Sequence, residues 1–425
     1  MKRLEKRCFI DGLRPRYRRV CKGKKGEILD MVQESLGVSR RQARRLLEPR
    51  ANGRPKTPLR AGRPGKYQDA EFKRVLKELW RTMRYMCSRH MKSAIPEWLP
   101  SIEQGRGNEF PEHIKERLIS ISPATIDRIL KPYKGLKGKS LTRSGSFRDE
   151  IPIQENVWNI EIPGFFEADT VAHCGGSTRG EYINTLMMAD IATIWTEARA
   201  VFGKGSTQMV YSIEDIEIHL PFDIRGYDSD NGTEVLNQHV LRYFQNERIE
   251  RGKPPVQITR SREYRKNDQA HVEQRNDSVA RKWLGYERLD FKELQPLINC
   301  YYKYILCPML NHFFPVFKLH DKIRIKSRTR RVYKDPITPY QRVMNSSHVA
   351  DELKMQLKQI HNSLNPVKLS KLERKVRTQI DIAHKALKAG KCSKALLDTS
   401  HIPTNTVANF RVSHNDKIPI YKTGT

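Results

Sequence analysis

The sequence predicts a multi-domain chain. It comprises an all-α N-terminal region with two helix-turn-helix units, a central α/β domain on a mixed five-stranded sheet, a small C-terminal β module and a helical tail. Three observations predict this. Pairs of short helical patterns with Ser at the helix start recur before residue 135. Strand-like apolar runs come first between 161 and 290, and helical and extended patterns then alternate. Past residue 320 a basic run alternates at period two and is followed by a long helical stretch. The 425 residues are material for about three domains with a sizeable core.

The expected organisation runs as follows: a basic arm and the first helix-turn-helix over 1–50, a basic linker over 51–67, a second helical unit over 68–135, and a linker over 136–160. The α/β core follows over 161–290, then a helix with a small basic β module over 291–345, and a basic helical region ending in a polar tail over 346–425. The formal charge of +31 and pI near 9.9 point to a polyanion as partner. No apolar run approaches the ~20 residues that a spanning helix needs, so a membrane protein is not expected. The basic start at Lys2, Arg3, Lys6 and Arg7 has no apolar segment behind it and does not read as a secretory signal. The seven cysteines are scattered and odd in number, which suits reduced thiols in the cytoplasm, in a protein associated with the nucleoid. Cys300, Cys307 and His312 cluster loosely, but without a Cys-x-x-Cys pair a zinc site is not expected.

Residues 1–25 carry eleven Lys or Arg against Glu5 and Asp11, an excess suited to lying along phosphates. A helical pattern with Ile28, Leu29, Met31 and Val32 follows, then Leu36-Gly37-Val38-Ser39 and a second helix from Arg40. Gly in the turn and Ser as cap mark a helix-turn-helix. In its second helix Ala43, Leu46 and Leu47 pack inward, which leaves Arg40, Arg41, Arg44 and Arg45 outward as a DNA-recognition face. The linker holds two Gly-Arg-Pro triplets in which Arg54 and Arg63 either enter an A·T-rich minor groove or simply belong to a basic spacer. From Asp69 to about Lys92 the pattern is helical, with an end expected before Pro96. A second helix-turn-helix then has its first helix over 111–118 and its second from Ser122, with Pro123 at the first helical position. Thr125 and Arg128 are its candidate DNA contacts.

In the core, strands are expected over 165–172, 182–189, 194–201, 222–229 and 256–259, with helices over 206–220 and 237–248 and one more around residue 273. Three carboxylates stand out. Asp169 lies in Phe165-Phe166-Glu167-Ala168-Asp169-Thr170, apolar on both faces, where an acid needs a partner or a metal. Asp230 ends an extended run at Tyr227-Asp228-Ser229-Asp230-Asn231-Gly232, and Glu273 falls in the helical stretch Ala270-His271-Val272-Glu273-Gln274-Arg275-Asn276. Singly, each has a plainer reading: Asn-Gly is a common turn, and a Glu near a helix start is usually solvated. On the last helix Glu273, Asn276 and Ala280 share a side at helical spacing, while Val272, Val279 and Trp283 form a buried stripe. Arg275, Arg281 and Lys282 are left to meet phosphate, Asn276 is a further candidate DNA contact, and His271 is either a DNA contact or a surface residue.

Together, in this order and spacing, these pieces resemble the catalytic core of the DDE transposase and retroviral integrase superfamily. The resemblance rests on Asp169-Thr170, the Ser229-Asp230-Asn231-Gly232 turn, and Val272, Glu273 and Asn276 in a Val-Glu-x-x-Asn pattern. The stretches 266–274 and 283–288 look most like bacterial insertion-sequence transposases of the ISNCY type. The resemblance implies an RNase H-like core and a transposase that binds element ends and carries out DNA cleavage and strand transfer. It implies Asp169, Asp230 and Glu273 as catalytic ligands of two Mg²⁺ ions, with Mn²⁺ expected to substitute. It further implies double-stranded DNA as partner, through terminal inverted repeats and target, with no small-molecule substrate, and a homo-oligomer on DNA. Two other readings stay open: a DNA-binding regulator or domesticated transposase without strand transfer, and an RNase H-like nuclease that cuts without joining.

Overall fold

The computed structural model describes residues 3–48, 67, 69–133, 160–203, 205–229, 238–260, 276–325 and 328–410. The chain forms two compact units, Met1–Gln68 and Asp69–Thr425.

The first unit contains α1 (Arg3–Arg19), α2 (Lys22–Leu36) and α3 (Arg40–Leu47). Gly37 takes the left-handed conformation that ends α2, at φ 62°, and the Ser39 side chain accepts from Gln42 N to cap α3. Ile28, Leu29, Val32, Ala43 and Leu47 share a core with Ile10 and Tyr17. The basic arm, for which the sequence suggested no secondary structure, is helical over most of its length. Residues 3–19 form a helix because Ile10 and Tyr17 bury one side of it, and Arg14 Nε donates to Leu46 O at 3.0 Å.

The second unit opens with α4 (Ala70–Thr82), α5 (Ser88–Arg106), α6 (Glu112–Ser120) and α7 (Pro123–Leu130). The single helix expected from 69 to about 92 is corrected in two respects. It breaks after α4, where Arg84 and Tyr85 adopt positive φ and Trp80 Nε1 donates to Met86 O at 3.0 Å. The helix that follows runs through Pro96 and Pro100. Each internal proline costs roughly 3 kcal/mol, but the buried stripe of Met91, Ile95, Trp98, Leu99 and Ile102 outweighs it. Ser122 caps α7 by accepting from Thr125 N at 3.3 Å.

The sheet has the order β3-β2-β1-β4-β5, from β1 (Phe165–Ala172), β2 (Ile183–Asp190), β3 (Thr196–Phe202), β4 (Gly226–Ser229) and β5 (Gln257–Arg260). The first three strands are antiparallel neighbours, whereas β4 lies parallel to β1 and β5 parallel to β4. The sheet is thus mixed and five-stranded. β3 starts two residues later than expected, because Ile194 turns at φ 61° and Asp190 accepts from both Thr193 N and Thr193 Oγ1. On one face Phe166, Ala168, Leu186, Met188 and Tyr227 share a core with Met209, Ile213 and Ile216 of α8 (Ser206–Ile218). On the other face Thr185 of β2 bonds Tyr302 Oη at 2.9 Å, within a continuous helical run from Leu294–Tyr301 through Tyr302–Leu306 to Cys307–Phe313. β6 (Leu319–Ile325) and β7 (Arg328–Tyr333) pair as an antiparallel hairpin, followed by the helices Pro339–Asn345, Asp351–Ser363 and Pro366–Lys388. No helix among the described residues is long and apolar enough to cross a membrane.

Candidate active site

Strand alternation decides where Asp169 sits. Phe166 and Ala168 enter the α8-side core, so Asp169 belongs to the opposite face of β1, opposite the buried Met187 in the ladder with β2. It is half-buried, and its Oδ1 accepts from Thr170 N at 2.7 Å. The β1–β4 ladder runs from Phe165 opposite Gly226 to Ala168 opposite Ser229. Asp169 is therefore the next residue of β1 beyond the last paired position. Asp228 lies further back, opposite Glu167, where its Oδ1 accepts from Thr259 Oγ1 at 2.7 Å. Asp230 and Glu273 lie outside the described residues, as do Arg54, Arg63, His271 and Arg275.

The segment Asn276–Arg281 packs against β1 and continues as the short helix Lys282–Leu284. Val279, Ala280 and Trp283 are buried. The segment is wound with i→i+5 bonds, so spacing rules for a 3.6-residue turn do not carry through it. Ala280, expected to share a side with Glu273 and Asn276, is buried, as is Val279 of the expected apolar stripe. Arg281 is half-buried with its guanidinium 5.5 Å from the Tyr286 ring centroid, and exposed Lys282 stands 5.1 Å from that of Trp283.

Three residues around this site are not among the site residues expected from the sequence, although Arg288 ends the stretch 283–288. His173, the residue after β1, is buried and bonds Thr185 Oγ1 through Nε2 at 2.9 Å; Thr185 in turn bonds Tyr302. Burial first, then the positive charges of Arg281 and Arg377, push its pKa down to about 4, so the imidazole is neutral. Arg288 donates to Ser177 O and Arg179 O, both at 2.7 Å, and so staples the loop between β1 and β2. Gly175 in that loop has φ 59°, and a Cβ on it would come within 2.9 Å of Arg288 Cβ. Arg377, on the helix Pro366–Lys388, donates to Trp283 O at 2.7 Å and Leu284 O at 2.9 Å. It closes the C-terminal end of the segment that packs on β1. Apart from the i,i+4 pair of Arg377 with Asp381, no periodic signal marks the three, because they work through distant main-chain or buried partners.

The helix-turn-helix candidates other than Thr125 occupy exposed positions. Arg40, Arg41, Arg44 and Arg45 all face solvent; Arg40 pairs with Asp30, and Arg44 Nε lies 3.4 Å from Glu48. On α7, Arg128 is exposed, and half-buried Thr125 shares a 2.9 Å hydrogen bond with Ser122. Cys307 is a buried thiol whose pKa burial pushes well up, so it is protonated and inert.

No family model matches the sequence. The chain belongs to the family of the uncharacterized protein y4rM of Sinorhizobium fredii, to which it is 32% identical over 339 residues, covering 79% of this chain and 93% of that protein. Among solved structures, a chain in the cryo-EM structure of the simian T-cell lymphotropic virus intasome in complex with PP2A regulatory subunit B56 gamma aligns at 14% identity. The alignment covers 44% of this chain and 59% of that one with a TM-score of 0.24, a likeness too low to carry any argument about this chain.

Proposed function

We propose that the chain is a DDE-type transposase with an RNase H-like core, which binds element ends and carries out metal-dependent cleavage and strand transfer of double-stranded DNA. The observation that carries this reading is a register. The β1–β4 ladder has an offset of 61 residues (226 − 165), and the same 61 (230 − 169) separate Asp169 from Asp230 in the sequence. Two carboxylates at equal offset fall opposite one another wherever that ladder continues by one step. The segment beginning at Asn276, three residues after Glu273, packs on the same strand. Under this reading β1 is the strand at which the three acids meet.

The proposed ligands, Asp169, Asp230 and Glu273, offer only carboxylate oxygens, the donor chemistry that Mg²⁺ takes. Bound there, a pair of ions would offset negative charge on the attacking and leaving oxygens of an in-line displacement at phosphorus. The chain's own part is to position DNA. Arg281 and Lys282, beside Asn276, offer cations to phosphate next to the site. Arg40, Arg41, Arg44 and Arg45 on α3, with Thr125 and Arg128 on α7, read the element end, and Arg54 and Arg63 are further candidate DNA contacts. We place the working form as a homo-oligomer on DNA, since one site does not reach two ends and a target together. The test is an end-cleavage and joining assay with purified chain, Mg²⁺ and DNA carrying paired inverted repeats. The reading expects free 3′ ends and joined products, both lost in Asp169→Asn while DNA binding persists. Full activity of Asp169→Asn would refute it.

A further inference from the structure

The helix Pro366–Lys388 has a role that neither the sequence motifs nor the proposed active site accounts for. Its buried side is ordinary core: Val367, Leu369, Val376, Ile380 and Ala383 pack inward. Its other side is not an ordinary solvated surface. Lys368, Lys371, Arg374, Lys375, Lys385 and Lys388 are all exposed. The helix has two acids, of which Glu373 is fully buried against Arg84 and Tyr301, and Asp381 pairs with Arg377. The exposed arc is therefore of one sign. Lys371 has like-charged neighbours at i+3 and i+4, and Lys385 at i+3, and each such pair costs an isolated helix some stability. Alternating signs would remove that cost, so the unmixed face points to a polyanion that offsets it.

We propose that this face is a second DNA-backbone surface, which holds duplex phosphates beside the active site; the inference rests on the transposase reading above. Position is one argument. Arg377 of this helix bonds the last carbonyls of the segment that packs on β1, and Arg374 Nη2 donates to Arg81 O at 3.0 Å. The basic face is thereby continuous with exposed Arg81 and adjoins Lys282 and Arg281. Length is a second argument. Twenty-three residues span about 35 Å at 1.5 Å each, close to one turn of B-DNA. The absence of an insertable side is the third. A helix that lies on an anionic membrane keeps an apolar face for the lipid, whereas this one has its apolar face in the core and only Ile382, 49% accessible, as a large apolar residue on its open side.

The test uses the full chain and its quadruple variant Lys368→Gln/Lys371→Gln/Lys375→Gln/Lys385→Gln, in which exposed positions change and helix propensity is kept. Binding of a fluorescent duplex of arbitrary sequence is measured across KCl concentrations, with matched circular dichroism melts as the folding control. Arg374→Gln/Lys388→Gln serves as an independent second variant. Each lost phosphate contact lowers the slope of log K against log [salt] by about 0.9. The expected result is a slope smaller by about 3 to 4 in the quadruple variant and by about 2 in the second. If wild type binds duplex and both variants keep its slope, the inference falls and the transposase reading stands. If wild type binds no duplex at all, both fall. Loss of binding to phosphatidylserine vesicles in the variants, with duplex binding unchanged, would assign the face to lipid and overturn the proposal.

Discussion

Replacing Arg377 by Ala removes one side chain that closes the end of the segment packed on the candidate site. The guanidinium makes two hydrogen bonds, to Trp283 O at 2.7 Å and Leu284 O at 2.9 Å, and also pairs with Asp381. A hydrogen bond to a charged group contributes about 1.5–3 kcal/mol. The Arg377 side chain is 22% accessible, so water would recover part of both bonds, and the pair together is worth about 3 kcal/mol. At 1.36 kcal/mol per decade, local opening of the segment should become more frequent by roughly 100-fold. Hydrogen exchange read on peptides spanning 276–285 measures this directly, with β2 peptides as the internal reference. Arg377→Lys should rescue little, because a single ammonium does not reproduce the planar two-pronged fork. Unchanged exchange in that peptide, in a variant whose β2 protection is also unchanged, would refute the idea that Arg377 fastens this element.

Other perturbations have equally definite outcomes. Glu217 is fully buried and accepts from Tyr243 Oη at 2.6 Å and Arg248 Nε at 2.8 Å, so Glu217→Ala strands a buried guanidinium and should cost about 3–5 kcal/mol in urea unfolding. Glu217→Leu combined with Arg248→Met should recover most of that, and equal losses in single and double variants would contradict the pairing. His173 and His219 are each pushed down to about 4, mainly by burial, from 6.5. Their contribution to stability is present above pH 6.5 and is lost as pH falls towards and through 4. Unfolding midpoints should therefore drop from pH 7.5 to pH 5, with a shallower dependence in His173→Gln; an identical pH profile in that variant would count against it. In the first unit, Ser39→Ala removes the cap of α3 and should cost about 1 kcal/mol, measurable as a lower thermal midpoint of the isolated 1–68 fragment if that fragment melts cooperatively.

Much of the architecture was legible because local signals and packing agreed. Ser39 and Ser122 announce α3 and α7, and Phe165–Ala172 reads as a strand buried on both sides and is one. Where the reading failed, a tertiary contact overrode the local rule. Pro96 does not stop α5, because Trp98 and its neighbours bury too much surface to allow a break, and Trp98 Nε1 is fixed to Phe313 O at 3.1 Å. The N-terminal basic run conceals Ile10 and Tyr17, whose burial makes it a helix. In the site, the position of Asp169 followed from pattern, and the Asn276–Arg281 segment lies against its strand. The structural roles of His173, Arg288 and Arg377 were not legible, although Arg288 lies in the stretch 283–288. Their partners are backbone carbonyls and buried hydroxyls up to 114 residues away in sequence, which no spacing rule connects.

The most direct measurement separates Asp230 from Asp228 as the second acid of the site. Asp228 sits inside the β4 ladder opposite Glu167 and already accepts from Thr259, whereas Asp230 is the residue whose offset from Asp169 equals that of the ladder. Matched, folded preparations of Asp230→Asn and Asp228→Asn are compared for cleavage of end-containing DNA in Mg²⁺, with DNA binding measured in parallel. The account predicts that Asp230→Asn binds the DNA and makes no cut, while Asp228→Asn retains measurable cleavage. Cleavage by Asp230→Asn, with Asp228→Asn inactive, would contradict it.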